Sequence, residues 1–110
     1  MTACVYAVAT CDTKGCELAF VADAIRRAGV PVKTVDVGTQ AAPSVAVDVS
    51  RETVAACHPQ GRDQVLRQRD RGAAVSAMSE AFAAFLSQQA AQGGVAGVIG
   101  LGGTGGTALI

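Results

Sequence analysis

The sequence predicts an α/β fold: a three-layer, Rossmann-like parallel sheet of strand order 2-1-3 that breaks off after its third strand. Three observations predict it. Short, nearly continuous apolar runs at 5–9 and 95–101 suit strands covered on both faces. Between them the apolar spacing changes to three and four residues, the period of a helix. The strand-like runs end in polar or glycine turns that lead onward, and such alternation argues for parallel strands with helices on both faces.

The elements follow in order. Val5, Tyr6, Ala7, Val8 and Ala9 form the first strand, and Thr10, Cys11, Asp12 and Thr13 break it. Over 14–28, Leu18, Val21, Ala22 and Ile25 share one helical face, while Arg26 and Arg27 fall in the last turn, where cations suit the helix dipole. Gly29 ends this helix and Pro31 forbids its continuation. Residues 32–37 read as the second strand, with Gly38 as its stop and a loop over 39–43. Ser50 is an N-cap for a short helix over 51–57. Pro59, Gly61 and the charged run 62–71 read as an irregular, solvent-facing connection. A long helix is expected over 73–92, with Val75, Met78, Phe82 and Phe85 as its core-facing stripe and Gly93–Gly94 as its end. Residues 95–101 read as a third buried strand, and 108–110 as the first turn of a further helix.

Composition narrows the function classes. Of 110 residues, 50% are hydrophobic and 16% charged, as in a globular chain. The net charge of +0 offers no electrostatic pull on nucleic acid or an anionic membrane, and with no Trp there is little aromatic surface for base stacking. The uncharged stretch 93–110 holds eight of the chain's 13 glycines. Each glycine weakens a helix by about 1 kcal/mol relative to alanine, so a strand and glycine loop is expected there, not a membrane span. The four cysteines, Cys4, Cys11, Cys16 and Cys57, form no C-x-x-C pair, and no zinc site is expected. Cys4 reads as a core thiol and His58 as an ordinary loop residue. No basic region opens the chain, so no signal peptide is expected; the thiols are taken as reduced and the protein as cytoplasmic.

The chemistry concentrates in two turns. A helix start holds phosphate through its free N–H groups and positive dipole end, and glycine lets the backbone come close. Gly102, Gly103, Thr104, Gly105, Gly106 and Thr107 supply four glycines and two hydroxyls after the third strand. Two paired glycines exceed what a tight turn requires, so an anion site is expected there, although the spelling matches neither a Walker loop nor G-x-G-x-x-G. In the first turn, Thr10, Cys11, Asp12, Thr13 and Lys14, a helix cap by Asp12 or Thr13 competes with a ligand role. Lys14 either contacts phosphate, with Asp12 turned toward a magnesium ion through water, or is a solvated lysine beside Glu17; spacing leaves both open. Asp36, with Gly38 after it, is placed for a ribose contact or for a turn. Cys11 at a helix start could carry a lowered thiol pKa, but no His is positioned to serve it. No catalytic residue and no metal ligand is assigned.

The segments 9–17 (Ala-Thr-Cys-Asp-Thr-Lys-Gly-Cys-Glu), 48–52, 70–75 and 101–107 together resemble the Tm-one-like ATP-binding domain family, named for a tomato mosaic virus resistance protein. Family members commonly carry Ser where Thr104 stands. The resemblance implies an α/β domain that binds ATP, with magnesium as a possible companion, in a larger protein whose second α/β domain lies C-terminal. It also implies that the chain is the N-terminal part of that protein, that it is a homo-oligomer, and that its partners include its own C-terminal domain. The expected function is a nucleotide-binding module, with a nucleotide-dependent enzyme or a nucleotide-regulated interaction module as alternatives.

Overall fold

The computed structural model describes residues 3–11, 14–39, 45–67 and 70–101. Its elements are β1 (Cys4–Ala9), α1 (Gly15–Arg27), β2 (Val32–Asp36), α2 (Arg51–Ala55), α3 (Asp63–Leu66), α4 (Arg71–Ala91) and β3 (Val95–Leu101). The strands form one sheet in the order β2-β1-β3, both pairings parallel. The α/β class and the 2-1-3 order read from the sequence therefore stand.

β1 is the centre of the sheet because its residues suit burial on two sides. Cys4, Tyr6 and Val8 join a core with Val35, Val37, Val54, Met78, Phe82 and Phe85. Ala7 and Ala9 alternate onto the other face and pack with Cys11 and Leu18. The small alanines let α1 sit close on that face, where Gly15, Leu18 and Ala22 are its buried residues. α1 ends as Gly29 takes φ +82° and the Val30 N–H returns to the Ile25 carbonyl.

The opposite face carries α4, built on the expected stripe: Met78, Phe82 and Phe85 are buried, and Val75 packs at the rim. The ring of Phe85 meets Tyr6 edge-on at 5.7 Å. α4 starts earlier than the expected residue 73, because the Asp70 carboxylate accepts the Ala73 N–H at 2.8 Å and caps the helix. The charged run before it is also less irregular than expected. It contains α3, whose Val65 is buried in the α4-side core. Ser50 caps α2 as expected, accepting the Thr53 N–H at 3.2 Å, but α2 stops at Ala55.

β3 differs from the buried strand that its apolar run suggests. Val98 and Ile99 are 42% and 39% exposed. The reason is position: β3 lies at the edge of the described sheet, and α1 packs on β1 and β2.

His58 is not the ordinary loop residue expected. It is buried, its Nδ1 accepts the Gln60 backbone N–H at 3.0 Å, and its Nε2 lies 2.9 Å from Glu80 Oε2 on α4. With the Nδ1 lone pair engaged, the neutral ring carries its proton on Nε2 and donates it to Glu80.

Candidate functional site

The strand register sets where the turns leave the sheet. Ala9 is paired with Asp36 on one side and with Leu101 on the other. All three strands therefore end level at one carboxyl edge, and the chain reverses direction across the sheet between β1 and β3. Crevices at such switch points are where open α/β sheets hold ligands. Gly102, Gly103, Thr104, Gly105, Gly106 and Thr107, with Asp12 and Thr13, lie outside the described residues.

Thr10 and Lys14 stand at the β1 exit. The Lys14 N–H donates to the Thr10 carbonyl at 2.7 Å, and the Lys14 carbonyl accepts the Leu18 N–H. Lys14 thus occupies the N-cap position of α1, one place before the first turn expected of it, and its side chain makes no cap hydrogen bond. Both residues are partly exposed at the carboxyl edge.

Cys11 follows Thr10 at the β1 exit. Its side chain is fully buried among Ala7, Ala9 and Leu18, with Sγ 3.8 Å from the Ala9 carbonyl. Its backbone N–H reaches Asp36 Oδ1 at 3.1 Å.

Asp36 is the centre of the described edge, at 1% exposure. Its Oδ1 accepts N–H groups from Cys11 and, at 2.8 Å, from Gly38. Its Oδ2 accepts Arg51 Nε, also at 2.8 Å. Of the two roles expected of Asp36, a ribose contact or a turn, the bond from the Gly38 N–H is the turn arrangement, and the carboxylate is tied to three protein donors in all. Gly38 is needed beside it for close approach: a Cβ there would lie 2.7 Å from Arg51 Nη2 and 3.0 Å from Asp36 Oδ1.

Arg51 is the residue that reading the sequence passed over. It arrives through a segment fastened to the outer edge of β2. Asp48 accepts the Thr34 N–H and hydroxyl, Val49 bridges Val35, and the Val49 carbonyl takes the Asp36 N–H. Ser50 then caps α2, whose first residue is Arg51. The only signal was an arginine directly after a helix cap, and nothing local announced that its partner lay 15 residues back.

Elsewhere, an open groove of about 480 Å³ runs between α1 and residues 46–48, lined by Phe20, Asp23, Arg26, Thr34 and Asp48 among others. Arg26 and Thr34 both turn to Asp48, so its polar groups largely satisfy one another, and it lies away from the level strand ends. Among the described residues no three His, Cys, Asp or Glu side chains converge as a metal site, and no helix is long and apolar enough to cross a membrane.

Comparison with known proteins places this architecture. Residues 3–110 match the N-terminal domain of the uncharacterised protein family UPF0261. A UPF0261 protein of Mesorhizobium japonicum is 57% identical over 81 residues, which is 74% of this chain and 20% of that protein. A UPF0261 protein of Rhizobium meliloti is 54% identical over 82 residues, again 74% of this chain and 20% of the relative. The match thus spans about a fifth of the length of either relative. The resemblance to the Tm-one-like ATP-binding domain family is corrected by these matches: all four segments that carried it fall inside the matched UPF0261 region. Glycine- and hydroxyl-rich turns at strand ends answer a backbone requirement common to α/β proteins, and their spelling is a weak guide to family. The family model and both relatives agree, and the chain belongs to the UPF0261 family, whose N-terminal domain it carries.

Proposed function

We propose that this domain binds a nucleotide, ATP with magnesium as the first candidate, in the crevice at the carboxyl edge between β1 and β3. The observation that carries the reading is the level exit of these two parallel neighbours, Ala9 beside Leu101. The 102–107 segment follows Leu101 directly in the sequence. In this reading the four glycines of that segment offer backbone N–H groups to the phosphates, with Thr104 and Thr107 as hydroxyl donors. Lys14 supplies a point charge from the N-cap of α1, where its side chain is not engaged in capping.

ATP titration followed by calorimetry, with and without magnesium, tests the proposal. Saturable binding is expected, together with at least a tenfold loss of affinity in Gly103→Val and Gly105→Val, about 1.4 kcal/mol or more. Absence of saturable binding, or unaltered affinity in both variants, overturns it.

A further inference from the structure

We infer that Asp36, held by Arg51, is a positioning residue for the nucleotide crevice: it sets where the backbone leaving β1 stands and does not touch the ligand. The inference rests on the nucleotide-binding reading above. Three chain segments that are remote in sequence meet on this one carboxylate. The Cys11 N–H belongs to the β1 exit, the Gly38 N–H to the β2 exit, and Arg51 Nε to the start of α2.

The division of labour between the two oxygens is the central observation. Oδ1 takes the two backbone donors, and Oδ2 takes the guanidinium. A buried carboxylate is stable only with charge compensation and filled lone pairs, and here one oxygen supplies each need. The guanidinium packs over Gly38, where no Cβ intervenes, which fixes Arg51 and with it the orientation of the Asp36 side chain. Charge-assisted hydrogen bonds from backbone N–H to carboxylate are strong and directional, so the Cys11 peptide is locked in place. Cys11 sits between Thr10 and the turn that opens α1, and the Cys11 thiol anchors the other side of that peptide in the core. A ligand site needs its backbone donors held to within a fraction of an ångström by such supporting contacts. The same carboxylate links the crevice to α2 and thereby to the α4-side core, in which Val54 and Ala55 are buried.

The decisive variant is Asp36→Glu. The extra methylene keeps a carboxylate for Arg51 but moves it off the line to the Cys11 and Gly38 amides. Three measurements on the protein are compared with wild type: ATP affinity by calorimetry, thermal midpoint, and amide proton shifts of Cys11 and Gly38. The expected result is a loss of ATP affinity of about tenfold, the scale of one lost charge-assisted hydrogen bond, with both amide protons moving upfield. Because Asp36→Glu could fail to fold, the wild-type protein provides a second measurement. Hydrogen exchange of the Cys11 amide should slow at least tenfold on saturation with ATP, in step with Gly38. Wild-type ATP affinity retained in Asp36→Glu despite shifted amides overturns the inference alone, as does wild-type Cys11 exchange indifferent to bound ATP. No ATP binding by the wild type overturns the nucleotide reading and this inference with it.

Discussion

A single carboxylate organises the described edge of this domain, and its surroundings make sharp demands on its neighbours. The Asp36–Arg51 pair is almost wholly buried, with side-chain exposures of 1% and 9%. Breaking such a pair from one side leaves an uncompensated charge, so Arg51→Met should cost about 3–5 kcal/mol in a denaturant titration. Gly38→Ala drives a methyl against the guanidinium and should cost about 1–3 kcal/mol. Tyr6 makes a different demand. Burial pushes its hydroxyl above the ordinary 10.0, with the neighbouring Cys4 raising it further. The folded chain therefore holds this proton more tightly than the unfolded chain. The resulting stabilisation is complete below pH 10 and is lost as pH rises through the folded value. Thermal midpoints measured from pH 8 upward should fall above pH 10 in the wild type, and Tyr6→Phe should flatten that fall. At lower pH the same variant loses the hydroxyl's hydrogen bonds to Gln89 and Cys4, about 1 kcal/mol each.

At the scale of elements, two helices carry a side-chain cap. Ser50→Ala and Asp70→Ala should each destabilise by about 1 kcal/mol, measured by chemical denaturation. α2 is only five residues long, so its cap and the Arg51 contact do much to hold it. α4 is held mainly by packing: Phe85 meets both Tyr6 and Phe82, and Phe85→Ala should cost about 3–5 kcal/mol. The edge of β2 shows how a short polar segment finishes a sheet. Asp48 and Val49 accept N–H groups from β2 that would otherwise be left without a strand neighbour.

Across the whole molecule, the sheet separates two apolar clusters. One holds Tyr6, Val8, Met78, Phe82 and Phe85; the other holds Ala7, Ala9, Cys11 and Leu18. Because they share no side chain, Leu18→Val and Phe85→Leu should add, with a coupling below about 0.5 kcal/mol in a double-mutant cycle. The sequence by itself determined the architecture. An apolar run flanked by turns, a three-and-four spacing at Met78, Phe82 and Phe85, and a cap at Ser50 are local signals, and local signals suffice to lay out α/β order and a 2-1-3 sheet. They could not show what Asp36, Arg51 and His58 do, since each takes its role from a partner 15 to 25 residues away. Nor could they show that β3 is half bare, because burial depends on which helices arrive above a strand and not on the strand's own hydropathy. Tertiary structure alone decided these points: hydrogen bonds and close packing act over a few ångströms, and only the folded chain brings remote groups within that reach.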